Sequence, residues 1–295
     1  MNISRSARAL FTSIGSSVSS ARAAAFPGPA VAACAVLVLF AAAPAIGIGD
    51  EGADGRFERR DSFHFTLYQD VDLDEASGLR GSRQFEQDVL RELEAAYTRL
   101  DRLLALRPDR KLPVTIWDPA LFDARFAGLF RFPAAGFYGG TIQIRGAPGV
   151  TDALVRVLHH ELVHAALDAE SSLVLPAWLN EGLAEWFEAR AFGKRGLGSG
   201  EQAVLVSIAR SGGLPYLAEL SRPGFGGLGP EAAAVAYLES YAFIEHLAAT
   251  QGERSLVELW SAVFRSGSLE RGVRRAYRRD LEALERAFRA SLGAA

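Results

Sequence analysis

His160 and His164 stand four residues apart with Glu161 beside the first, in the run Val157-Leu158-His159-His160-Glu161-Leu162-Val163-His164-Ala165-Ala166-Leu167. On a helix this spacing stacks the two imidazoles on one face, about 6 Å apart, close enough to share one zinc ion. Glu161 points roughly 100° around the helix. There its carboxylate can act as general base toward a water at the metal without itself being a ligand. From Val157 to Leu167 no other charged residue interrupts the run, as a buried helix carrying a metal requires.

Two histidines leave a catalytic zinc one protein ligand short. The extension x-x-G-x-x-H, which would supply a third histidine, is absent, because Leu167 and Glu170 occupy those positions. A methionine turn is also excluded, since Met1 is the only methionine. The better source is the segment Leu175-Pro176-Ala177-Trp178-Leu179-Asn180-Glu181-Gly182-Leu183-Ala184-Glu185-Trp186-Phe187. Pro176 suits the first turn of a helix, and Leu179, Leu183, Trp186 and Phe187 form an apolar stripe. Glu181 lies off that stripe, on a face shared with Trp178, Glu185 and Glu188. Gly182 costs about 1 kcal/mol of helix propensity relative to alanine, a cost found where two backbones approach closely, and implies a second helix docking against the first.

H-E-L-V-H followed by W-L-N-E-G-L-A-E-W resembles the gluzincin clan of zinc peptidases, with peptidase MA-like domains as the nearest likeness and the aminopeptidase N type similar in the active-site half. The resemblance implies an α+β zincin-like fold, with a small mixed sheet and edge hairpin in the N-terminal lobe, then the active-site helix and a mostly helical C-terminal lobe. It implies zinc ligation by His160, His164 and Glu181, with Glu161 as general base. It also implies that Glu185 hydrogen-bonds a ligand histidine and fixes its orientation. The segment Tyr237 to Leu247 resembles the helix whose first tyrosine stabilises the oxyanion, closed by Gly252. That places Tyr237 in the role, with Tyr241, one turn on, as the alternative. The G-x-M-x-N anchor for a free amino terminus is missing, so aminopeptidase activity is unsupported.

The elements that must position these residues are legible around them. Phe63 to Tyr68 alternates like a half-buried strand, with His64 a surface strand residue. Arg83 to Leu104 is a long amphipathic helix, Leu112 to Trp117 a strand, and Phe122 to Phe130 a short helix or loop. Gly136 to Arg145 reads as a hairpin with a two-residue Gly-Gly turn. By the resemblance, residues 141 to 145 would be the edge strand on which an extended substrate pairs, with an ordinary hairpin as the equal alternative. After the second metal segment, helices are expected at about 200 to 210, 231 to 251, 254 to 265 and 279 to 291. Gly193 to Gly200 and Gly224 to Gly229 are loops, either bordering the cleft or plain connectors.

Arg5, Arg8 and Arg22 precede an uncharged stretch from Ala23 to Gly49. Residues 1 to 49 therefore read as a signal peptide with Ala43-Pro44-Ala45 as cleavage site, or as an N-terminal membrane anchor over residues 30 to 48, with 50 to 60 a tether and 61 to 295 one zincin domain. Either way the domain is expected outside the cytoplasm, with membrane attachment possible through this segment. Cys34, the sole cysteine, lies in that stretch and leaves no intramolecular disulfide. A net charge of −3 gives no reason to expect nucleic acid as a partner. The expected activity is that of an exported zinc-dependent peptidase acting on peptide or protein substrates. A zinc-stabilised binding or scaffold domain without turnover is the alternative, and the intact Glu161 argues against it.

Overall fold

A computed structural model describes residues 57–71, 82–147 and 149–293. The N-terminal apolar segment lies outside these residues. Among the described residues no helix is long and apolar enough to cross a membrane.

Five strands, β1 (Glu58–Asp61), β2 (Phe65–Asp70), β3 (Leu112–Trp117), β4 (Gly136–Tyr138) and β5 (Ile142–Arg145), form one mixed sheet in the order β1-β2-β3-β5-β4. The central pairs β2-β3 and β3-β5 are parallel and the outer pairs antiparallel. Phe65, Leu67, Val114, Ile116, Ile142 and Ile144 are buried, which is the period-two pattern of one apolar sheet face. Helix α1 (Ser82–Leu104) covers it with Phe85, Val89, Leu93, Leu100 and Leu104, all buried. The short helix α2 (Pro119–Arg125) is capped by Asp118, whose side chain accepts from Ala120 N, and leads toward β4.

Helix α3 (Asp152–Glu170) carries the first chemical motif. Thr151 caps it, accepting from Leu154 N at 3.2 Å, and Asp152 places negative charge at the helix start. Helix α4 (Ala177–Ala191) carries the second. It packs between α3 and α6 (Pro230–Gln251) and is buried nearly all round, including Trp178, Glu185 and Glu188. The remaining helices are α5 (Ser199–Arg210), α7 (Arg254–Ser266), α8 (Leu269–Tyr277) and α9 (Leu281–Ser291). The α+β architecture matches the expectation, with the sheet in the N-terminal half and helices thereafter.

Several local expectations are corrected. Residues 58–60, read as part of the tether, are in β1, because they pair with β2. Residues 142–145 are not the sheet edge: β5 is bonded on both sides, to β3 and β4, so the edge strand is β4. The turn between them spans three residues, since Tyr138 pairs with Ile142, and Gly140 takes the positive φ of 82°. Gly182 does mark a close approach, but to α6. A Cβ there would lie 2.7 Å from Ser240 O and 2.6 Å from Ile244 Cγ1. Helix α8 was not anticipated, although Leu269, Val273 and Tyr277 recur at four-residue intervals behind a Ser268 cap.

Candidate metal centre and catalytic cleft

Helices α3 and α4 bring three side chains to one point. His160 Nε2 and His164 Nε2 each lie 3.3 Å from the same oxygen, Glu181 Oε2. The two imidazole centroids are 5.0 Å apart. His160, His164 and Glu181 thus offer ligand atoms all within 4.8 Å of one another. Two neutral-or-cationic nitrogens and one carboxylate, with only 10–13 % of each side chain exposed, form a donor set that fits a metal ion. Burial raises the Glu181 carboxyl, but the two histidines outweigh it and hold it down at about 2, so it stands ready as an anion.

Glu161 is buried beside this set, and its Oε2 has no hydrogen-bond partner among the described residues. Burial pushes its carboxyl above the ordinary value, against the pull of His164 and His160. A buried carboxylate oxygen without a protein donor, facing an open cleft, is placed to accept a proton from something bound there.

The far side of His160 is held by acids. Its Nδ1 is 3.8 Å from Glu185 Oε1 and 3.8 Å from Glu188 Oε2. Burial, then Glu188, push the Glu185 carboxyl up to about 8. Glu188 is anchored by Arg156 Nη1 at 3.1 Å, and that guanidinium sits 3.9 Å above the Phe192 ring. Glu188 and Arg156 were not assigned from sequence. The available signal was position, since Glu188 falls two turns after Glu181 on the face that Glu185 also occupies.

Tyr237, on α6, lines the cleft with its ring centroid 6.5 Å from that of His160. Burial, then Glu181, raise its hydroxyl well above the usual phenol value, so it keeps its proton. Tyr241 faces elsewhere: its hydroxyl donates to Gly196 O at 2.9 Å. The loop at 193–198 is thereby tied to α6, also through Glu245 Oε1, which accepts from Gly196 N. Of the two glycine-rich loops, the one at 224–226 borders the cleft.

The cleft encloses about 500 Å³ and is bounded by β4, α3, the 173–175 segment and the 223–226 loop. Tyr138 of β4 donates to Asp168 Oδ2 at 2.7 Å, fastening the edge strand to the end of α3. His159 and His64 stand apart from the centre. His159 is buried against Phe187, with Arg99 at 3.0 Å from its Nε2, and His64 is half-buried, stacked on Tyr97 and bonded to Glu94.

The family model described as the Peptidase MA superfamily matches residues 112–294, from β3 through both helices of the His/Glu cluster to the C-terminal helices. The chain belongs to the peptidase MA superfamily. No curated protein matches it. Membership points to peptide-bond hydrolysis, and the superfamily is typically metal-dependent, which agrees with the His/Glu cluster that lines the cleft.

Proposed function

We propose that this chain is an exported, zinc-dependent peptidase that cleaves peptide or protein substrates in the cleft between β4 and α3. The observation that carries the reading is the convergence of His160, His164 and Glu181 on the cleft, with the Glu161 oxygen that has no hydrogen-bond partner among the described residues beside them. Zinc held by those three residues would polarise the scissile carbonyl and lower the pKa of a water toward neutrality. Glu161 takes the proton of the attacking water and returns it to the leaving nitrogen, so one carboxylate serves as base and then acid. Tyr237 donates a hydrogen bond to the oxygen on which negative charge develops, from a position where it stays protonated. Glu185 and Glu188 hold the Nδ1 side of His160 and turn its Nε2 toward Glu181. The free edge of β4, the last strand of the sheet, lies along the cleft, where an extended substrate backbone can pair with it.

Zinc-loaded protein is expected to cut a mixed peptide library and to stop when a chelator removes the metal. Glu161→Gln should keep close to one zinc per chain and lose turnover, whereas Glu181→Ala should lose zinc. Undiminished activity in the glutamine variant would remove the mechanism. Export rests on the arginines and uncharged stretch at the N-terminus. A C-terminal reporter enzyme that works only outside the cytoplasm should be active when fused to the chain, and a silent reporter on a well-expressed fusion would refute export.

A further inference from the structure

Three acids line the cleft, Glu161, Asp168 and Glu181, and among the described residues that line it there is no lysine or arginine. The charge is unevenly placed. On the peptidase reading above, zinc brings two positive charges that offset Glu161 and Glu181, since histidines that hold a metal are neutral. Asp168 is left as the net negative charge of the cleft.

Its position follows from the helix. Asp168 stands one turn beyond His164 on the same side of α3, about 6 Å further along the axis. Strand β4 runs the same way. A Cβ on Gly136 would stand 2.7 Å from Val157 Cγ1, a turn before His160, and the Tyr138 hydroxyl reaches Asp168 Oδ2 at 2.7 Å. A substrate backbone extended along β4 therefore passes the His/Glu cluster and arrives at Asp168. The two ends differ in chemistry. At the His160 end the Tyr237 ring is packed by Phe132 and Phe225, with centroids 6.3 and 5.2 Å away. At the other end Asp168 is followed by Ser171 and Ser172, which also line the cleft.

Two groups of the protein touch Asp168, and neither closes it to a substrate. Burial, then Asp168 itself, push the Tyr138 hydroxyl up to about 12, so Tyr138 donates a hydrogen bond and leaves the negative charge in place. Arg110 Nη2 comes only to 3.7 Å of the same oxygen, and the two side chains are 60 % and 50 % exposed, which makes this a solvated pair of little worth. Arg110 does not line the cleft. A cation carried to Asp168 by a substrate held along β4 competes with that guanidinium at little cost.

We propose that Asp168 is a specificity residue that binds a cationic group of the substrate, a lysine or arginine side chain or a free α-ammonium, on the side of the scissile bond that lies toward the end of α3. The proposal rests on the peptidase reading. The zinc-loaded full chain is given matched peptides with lysine or uncharged norleucine at each position around the cut, with amino termini free or acetylated. At one position the cation should raise kcat/KM by roughly fivefold or more, and less at high salt. A gain from lysine in acetylated peptides identifies a basic side chain, and a gain confined to free amino termini identifies the α-ammonium. Asp168→Asn keeps an acceptor for Tyr138 and should abolish the gain with zinc content unchanged. Arg110→Gln removes the competitor and should enlarge the gain, which a merely structural role of Asp168 would not produce. Should the Asp168 variant fail to fold, the Arg110 variant decides. No gain from either cation, a gain that survives Asp168→Asn, or a gain that Arg110→Gln leaves unchanged overturns the inference and leaves the peptidase intact. A zinc-loaded wild type that cuts nothing removes the peptidase reading and this inference with it.

Discussion

Two tyrosines one turn apart on α6 illustrate how much a single side chain's surroundings decide. Tyr237 and Tyr241 are chemically identical and share a helix face by sequence. In the fold, the Tyr237 ring lies beside His160 of the His/Glu cluster, while the Tyr241 hydroxyl is committed to Gly196 O. Tyr237→Phe should therefore lower kcat by roughly 10² with little change in KM, the signature of a contact made only in the transition state. Tyr241→Phe should leave kcat near wild type and cost about 1 kcal/mol of stability through the lost hydrogen bond. The reverse pattern in steady-state kinetics would move the role to Tyr241. The cluster residues His160, His164 and Glu161 are legible from spacing alone, because a helix converts a four-residue interval into adjacency. Glu188 is legible only once α4 is seen to be buried, since an acid on a helix face otherwise reads as solvated.

At the scale of elements, the position of Glu181 depends on how closely α4 can sit against its neighbours. Gly182 lets α4 approach α6 until no room remains for a methyl group, and the obstructing atom is a backbone oxygen that cannot rotate away. Gly182→Ala gains about 1 kcal/mol in helix propensity but should lose more to overpacking, which typically costs about 1–3 kcal/mol and more against rigid backbone. A lowered thermal midpoint and weakened zinc binding are expected together, because the displaced helix carries Glu181, the proposed third ligand. Gly200→Ala serves as the contrast. Gly200 is exposed near the start of α5 with nothing within 4 Å of an added Cβ, so its midpoint should hold or rise. Equal midpoints for the two variants would show that the α4–α6 contact is not tight. The sheet edge is the element that sequence reading misplaced. The residues of β4 and β5 both read as strand, and only the pairing of β5 with β3 decides which of them faces the cleft.

Across the whole molecule, the interior contains an ionisable group that does not line the cleft. Glu239 on α6 is fully buried, and among the described residues neither carboxylate oxygen has a hydrogen-bond partner. Arg289 of α9 comes within 3.8 Å but is also engaged by Glu285 and by the carbonyls of Leu214 and Pro215. Burial pushes the Glu239 carboxyl up to about 8; Arg289 works against this, and Glu285 and Glu219 add to it. Between the ordinary carboxylate value and about 8, the unfolded chain has released this proton while the folded chain keeps it. Folding stability therefore falls as pH rises through that window and levels off above it. Glu239→Gln removes this dependence, so its advantage over wild type should grow from pH 5 to pH 8, to a few kcal/mol at most. Denaturant unfolding at the two pH values measures it, and a constant difference between the proteins would show that Glu239 is ionised in the fold.

The sequence by itself determined the fold class, the helix that carries His160, Glu161 and His164, and the helix that carries Glu181. The two helices follow from local periodicity and four-residue spacing, which need no knowledge of distant parts of the chain, and the fold class from the resemblance of their motifs to the gluzincin clan. Tertiary structure alone decided that Gly182 meets α6, that β4 is the edge strand beside the cleft, and that Glu188 and Arg156 stand behind His160. Each of these joins residues from separate elements. Such contacts arise from how helices and strands pack, and no local pattern in the chain encodes which surfaces meet.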